Sequence, residues 1–343
     1  MKPKKNAFGY FVNILFLVGV LYALVCGISD LGVGREYPYV IRGGFFALLL
    51  AAWVLLNAGA AMAARLELED FARKKRKTVN LLEAAFAVAV LLAAAWVRLW
   101  VISAFPMQPA SDFKTYYEIA DLLNRGTIQK EGAGYCDYIA MFPHVYGYPS
   151  FLASLFRIFG TKVSVGQYAN VVLSVATVLL VYRTGRLAGG RLAGLTALVL
   201  SAFWPSQVLY SNQLAGEFLF SFLMMLGVYL FVLSLRCCTS RMKHPGLGVI
   251  LYVAIGIALG LCATVRPMAL IVVITIVLCI FPRRLFLSAE QSQNPSISLM
   301  ILSRGWMRCL IVLLCYVLIT SGTNMTIQQT VGRKLASGST SFG

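Results

Sequence analysis

Long polar stretches are almost absent from this 343-residue sequence, which is 59% hydrophobic with a mean hydropathy of +0.78. A chain with so little polar surface cannot coat a core of its own size with water-compatible groups, so a soluble globular fold is excluded and the bilayer is its solvent. Acidic residues are scarce as well, 13 against 30 Lys and Arg, and histidine occurs twice. HExxH and CxxC spacings are missing, which removes the usual protein metal cages. No repeat of 20–50 residues is present, so solenoids are excluded. The eight cysteines do not compose a disulfide framework. Cys26, Cys262, Cys279, Cys309 and Cys315 lie inside apolar runs, Cys136 stands alone in a loop, and Cys237–Cys238 lie at a helix end.

What remains is a succession of membrane-length apolar runs and an excess of positive charge. The net charge of +17 invites a nucleic-acid reading. The basic residues instead flank apolar helices, most densely in 1–7, 65–79, 183–191, 236–246 and 282–305. That distribution is topogenic and puts the N-terminus in the cytoplasm, with no nucleic-acid partner. The first run, from Phe8 to Ser29, is longer than a signal-peptide apolar core and reads as a spanning helix.

The hydropathy pattern predicts an all-α integral membrane protein with about nine transmembrane helices. They fall near 8–29, 41–64, 80–105, 163–182, 192–211, 214–235, 247–265, 267–281 and 306–322. Residues 1–79 form an N-terminal hairpin and a basic cytoplasmic loop, and 80–322 form the core. Residues 323–343 make an extracytoplasmic tail that is expected to be incomplete. Residues 282–304 read as a flexible inner connection. The core includes one large outer loop, 106–162, whose length between spanning helices points to function. Its stretch from Ser111 to Pro149 holds Asp112, Glu118, Asp121, Glu131 and Asp137. Phe113, Tyr116, Tyr117, Ala120 and Leu123 recur at helical spacing opposite Lys114, Glu118, Asp121 and Arg125, which predicts a helix lying in the outer interface. The segment 149–160 is apolar but too short to span, so it lies at that surface or re-enters it.

The reactive candidates cluster on the same face. Asp112 is either a helix N-terminal residue with Ser111 as its cap, or a general base or metal-binding carboxylate. Glu217 is a carboxylate near the outer end of a spanning helix, placed to cap it, pair with Arg266, or act on substrate. Arg266, in the TVRP turn, is an interfacial anchor or a phosphate clamp, and Arg98 could snorkel to the same face. His144 is a lone histidine in an aromatic loop, a structural hydrogen-bonding residue or a base. Tyr116, Tyr146 and their aromatic neighbours Tyr135, Tyr138 and Tyr148 form an interfacial belt or line a sugar site.

Four strings, in this order, carry a resemblance: SDFKTYY opening the loop, GYPSFL closing it, SNQLAGEFLF, and GLCATVRPMAL. Over about 80–330 the chain resembles the GT-C glycosyltransferases that use polyprenyl-phosphate sugars, and within them the protein O-mannosyltransferase and aminoarabinose-transferase group. The resemblance implies a GT-C-like core, Asp112 as the catalytic carboxylate, and Arg266 as a holder of the donor lipid's phosphate. It also implies a polyprenyl-phosphate-linked sugar as donor and a lipid, glycan or protein acceptor outside a bacterial plasma membrane. Relatives often show paired acidic residues where this chain has Asp112-Phe113, so a divalent metal stays open, with Asp112 as its ligand if one is used. Relatives also continue beyond the core. The competing readings are a lipid or sugar transporter or flippase, which would show central polar groups and internal repeats, and a non-catalytic assembly subunit.

Overall fold

The computed structural model describes residues 76–239, 245–279 and 295–336. The chain divides into two compact units, Met1–Arg76 and Lys77–Gly343, and apart from Arg76 the described residues belong to the second. The expected helices near 8–29 and 41–64, the basic run before Arg76 and most of the connection 282–304 lie outside them. Among the described residues the structure is all-helical, without strands.

Helix α1 (Arg76–Ala104) is 29 residues of mostly Ala, Leu and Val without an internal proline or glycine. It stops at Ala104 because Phe105 precedes Pro106, and the residue before a proline avoids the helical region. The loop contains α2 (Ser111–Arg125), the single turn α3 (Ile128–Glu131), α4 (Ala133–Met141), a 3-10 turn at Pro143–Val145, and α5 (Gly147–Phe159). The remaining helices are α6 (Val163–Ala202), α7 (Pro205–Tyr210), α8 (Glu217–Thr239), α9 (Pro245–Ala263), α10 (Ala269–Cys279) and α11 (Pro295–Val331). Four described segments, in α1, α6, α8 and α11, are long and apolar enough to cross a membrane; α9 and α10 are apolar but shorter. Membrane association follows from these helices. Large apolar side chains such as Phe86, Leu92, Trp96, Leu310, Leu314 and Leu318 point away from the described core, as they do where lipid is the solvent.

Helix α6 is two arms. Gly190 has φ +86°, a backbone region that suits only glycine, and the chain doubles back there. A Cβ on Gly185 would sit 3.3 Å from the Cα of Gly194, an approach impossible along a straight helix. The segments expected as helices at 163–182 and 192–211 are therefore the two arms of this hairpin, and the second arm ends at Ala202 short of its expected bound, before the separate helix Pro205–Tyr210. A buried carboxylate ties the hairpin to α1: Glu83 accepts from Tyr182 Oη at 2.7 Å and from Arg186 Nε at 2.7 Å, with Arg191 Nε 3.5 Å from its other oxygen.

Two packed layers follow. Phe231, Tyr252, Ile255, Leu259, Val273, Ile276, Cys309 and Val312 bury each other between α8, α9, α10 and α11. The Gly256-xxx-Gly260 pair admits α11: a Cβ on Gly256 would lie 2.5 Å from Cys315 Cβ and one on Gly260 would lie 2.7 Å from Ile319 Cβ. A second cluster makes the loop a platform, with Ile119, Leu122, Ile128, Cys136, Ile139 and Val145 packed against Ile327 and Val331.

That last contact corrects the reading of the C-terminal region. The helix expected at 306–322 runs from Pro295 to Val331, so the end of the presumed flexible connection and the start of the presumed tail are helical. Residues 327–336 then dock on the platform. Gln129 Nε2 donates to the carbonyls of Gln329 and Thr330 at 3.2 and 2.9 Å, Arg333 Nε to Asp137 at 2.9 Å, and Ala336 N to the Ala140 carbonyl at 3.0 Å. The polar composition of 323–336 reflects these hydrogen bonds.

Candidate functional site

The interfacial helix expected from its apolar spacing is α2. Its wet face carries the pairs Lys114–Glu118 (3.7 Å) and Asp121–Arg125 (2.9 Å), and its inner face buries Ile119, Ala120 and Leu122. Ser111 is not its cap. Ala110 occupies that position without a side-chain cap bond, and Ser111 is the first helical residue with φ +49°, a left-handed conformation that is uncommon for a non-glycine residue. Such conformations gather at sites where surrounding structure enforces them. Asp112 follows in the first turn, exposed at the positive end of the helix dipole, with no hydrogen-bond partner among the described residues.

Around Tyr116 the sequence-distant candidates come together. Its pKa is raised by burial and by the nearby Glu217, Asp112 and Tyr138, while Arg266 pulls it down. The Tyr116 ring meets Tyr148 edge-on at 5.6 Å between centroids. Tyr148 is fully buried, and its hydroxyl donates to Asn170 Oδ1 at 3.2 Å. Burial pushes its pKa up, partly opposed by that hydrogen bond. Glu217 opens α8, and its Oε1 accepts from Arg266 Nη2. The other carboxylate oxygen is buried without a partner among the described residues. His144 stands near this guanidinium, and burial together with Arg266 lowers its pKa.

Glycine lets these segments meet. A Cβ on Gly147 would lie 2.2 Å from the Thr264 carbonyl oxygen, so the start of α5 rests directly on the backbone of the turn that bears Arg266. A Cβ on Gly216 would lie 3.2 Å from Tyr148 Cβ and 3.6 Å from Val265 Cγ1, closing the third side. The strings GYPSFL, LAGEFLF and ATVRP are thus one spatial unit. Polar groups of α6 hold it in place: Asn170 Nδ2 donates to the Gln213 carbonyl at 2.9 Å, and Gln167 Nε2 donates to the Asn212 carbonyl at 2.8 Å. Asn212 in turn donates to the Phe105 carbonyl at the end of α1. Sequence reasoning missed Gln167, Asn170 and Asn212. The available signal was the pair of amides in SVGQYAN at the start of a spanning segment, where polar groups are costly.

Asp112 opens onto a surface pocket of about 430 Å³ shared with Thr115, Glu131, Gly132, Tyr135 and Tyr138. Glu131 is held by Arg125 at 2.8 Å, and Tyr135 donates to Glu118. No group of three His, Cys, Asp or Glu side chains among the described residues could hold a metal ion, so the donor set around Asp112 does not match a protein metal cage.

One expected member stands apart. Arg98 does not reach the face of Arg266. It is fully buried and bends back along α1 to the Ala94 carbonyl, as helical side chains lean toward their N-terminus, and its other bonds go to Ser174 and Ala202. Tyr146 is half-buried against the loop cluster that includes Ile119 and Val145, the same cluster on which Tyr116 packs. Arg98 is thus held inside the bundle, while Asp112, Glu217 and Arg266 interact with Tyr116, and His144 with Arg266. No family model matches this chain, and neither does any curated protein or solved structure.

Proposed function

We propose that this protein is a membrane glycosyltransferase that moves a sugar from a polyprenyl-phosphate donor to an acceptor hydroxyl outside the cytoplasm. The observation that carries the reading is the gathering of Asp112, Tyr116, Glu217, Arg266 and His144 from three distant segments around the contact of half-buried Tyr116 with buried Tyr148. The resemblance to GT-C glycosyltransferases points to two of these residues, Asp112 and Arg266. A phosphate-linked lipid is a leaving group that a fixed cation stabilises as its negative charge develops, so the protein has little covalent chemistry to perform. Asp112 takes the proton of the acceptor hydroxyl as its oxygen bonds to the anomeric carbon. The bond from that carbon to the phosphate oxygen breaks, the electron pair leaves with the polyprenyl phosphate, and Arg266 holds the departing anion through N–H groups not engaged by Glu217. Tyr116 and its neighbours offer aromatic faces to the sugar ring.

The test is transfer of a labelled sugar from a polyprenyl-phosphate donor by the full chain in proteoliposomes, with a panel of lipid, glycan and protein acceptors. Labelled product that depends on Asp112 supports the reading. Movement of the intact donor across the bilayer without cleavage would make the protein a flippase. Neither activity would leave a non-catalytic subunit.

A further inference from the structure

A second polar feature lies inside the helical bundle and takes no part in the proposed transfer. Arg98 is fully buried in α1, about 9 Å from the Ala104 end at 1.5 Å per residue. Its Nε donates to Ser174 Oγ at 2.8 Å, and its Nη1 donates to the carbonyls of Ala94 and Ala202 at 2.9 and 2.8 Å. Its Nη2 is buried with no partner among the described residues. All the acceptors are neutral, and no described carboxylate pairs with this guanidinium. Glu83, buried in the same helix, has two arginines by contrast.

Burying a charge against neutral acceptors alone is expensive, and ionisable groups in spanning helices are kept where they meet a partner or a ligand. Arg98 also forms part of the wall of a pocket of about 430 Å³ between α1, both arms of α6, α7 and α8. The wall also includes Ser174, which touches Arg98, and the polar residues Thr177, Ser201, Gln207 and Ser221 elsewhere on it. The rest is mainly apolar, including Trp204 and Met225. A buried cation with no carboxylate partner among the described residues, at the wall of a mainly apolar pocket within membrane-spanning helices, is complementary to an amphiphile with an anionic head.

We propose that this pocket binds an acidic lipid, with its head oxyanion (phosphate or carboxylate) completing the charge of Arg98 and its chain lying along the apolar wall. The site is separate from the Tyr116–Glu217–Arg266 neighbourhood, since none of those residues lines it. It stands whether or not the protein transfers sugar. The lipid closes the junction of α1 with the α6 hairpin, so its removal loosens that junction.

The experiment is native mass spectrometry of the full chain released from detergent after equilibration with lipids of equal acyl chains. The arms are a phosphatidylglycerol, a phosphatidylcholine, a long-chain fatty acid and inorganic phosphate. Preferential retention of an anionic lipid over phosphatidylcholine, by about ten-fold or more, is expected for the wild type. A phosphatidylglycerol-only preference identifies a phosphate head, and retention of the fatty acid identifies a carboxylate. Arg98→Gln is expected to abolish the preference. Should Arg98→Gln fail to fold, Thr177→Leu narrows the pocket from its wall and leaves the arginine in place, and it is expected to reduce retention of the anionic lipid. Equal retention of anionic and zwitterionic lipid by the wild type would overturn the proposal. So would an undiminished preference in a folded Arg98→Gln or Thr177→Leu protein, or inorganic phosphate displacing the lipid at equal concentration.

Discussion

Arg266 donates to Glu217 across 49 residues of sequence, bringing the turn after α9 to the first residue of α8. The pair is partly exposed, so its worth lies in aiming the guanidinium more than in stability. The carboxylate occupies one edge of the fork and leaves the others for an incoming oxyanion.

This arrangement predicts opposite consequences for the two partners. Arg266→Ala removes the cation and exposes a donor phosphate to the bare Glu217 charge, so donor affinity falls on the order of ten-fold or more. Arg266→Lys recovers part, because an ammonium is a point charge without the planar fork. Glu217→Gln removes the competing anion and leaves donor affinity equal or higher. Titration of a labelled donor into each purified variant measures this, and a donor indifferent to Arg266→Ala would take the residue out of the site.

Asp112 separates chemistry from helix architecture. It makes no cap bond, so Asp112→Asn costs only the dipole contribution, about 0.3–1 kcal/mol, and leaves the thermal midpoint near that of the wild type. Under the proposed transfer mechanism, with Asp112 as the base, Asp112→Asn lowers turnover on the order of 10²–10⁴-fold. Glu118→Gln, paired with Lys114 and Tyr135 on the wet side of α2, leaves turnover nearly unchanged. Turnover of Asp112→Asn within a few-fold of the wild type would exclude the mechanism.

The contact of Gly147 with the Thr264 carbonyl predicts a steric test of the site's assembly. Gly147→Ala forces the start of α5 off the Arg266 turn, costing about 1–3 kcal/mol by overpacking and lowering donor affinity at the same time. Gly134→Ala, in α4 with open space around its Cα, is neutral or stabilises by roughly 0.5–1 kcal/mol. Thermal unfolding in detergent reads both; a Gly147→Ala protein as stable as Gly134→Ala would contradict the close approach.

His144 gives the site an acid-side dependence. Burial and Arg266 favour its neutral form, so its folded pKa lies below the ordinary 6.5. Between the two values the unfolded chain binds the proton and the folded chain does not. The His144 contribution is therefore complete above 6.5 and is lost as pH falls through the lower folded value. His144→Gln should flatten the decline of thermal stability on that side. An unchanged pH profile in the variant would show that His144 is not the group responsible.

Much of this protein is legible in its residue order. Apolar run length determines the helical membrane class, because backbone groups in lipid must bond within their own segment. The 3.6-residue spacing of Phe113, Tyr116, Tyr117, Ala120 and Leu123 determines α2 and its wet face in the same local way. What the sequence could not decide is which polar side chains meet. Arg98 and Arg266 look alike as arginines near helix ends, yet one is locked between α1 and the α6 hairpin while the other is held by Glu217. The polar run after residue 322 reads as a tail until Gln129, Asp137 and Ala140 supply its partners. Hydropathy and periodicity act over a few residues. These assignments depend on where glycine permits two backbones to touch and on hydrogen bonds between segments up to 201 residues apart, and only the packed chain determines those.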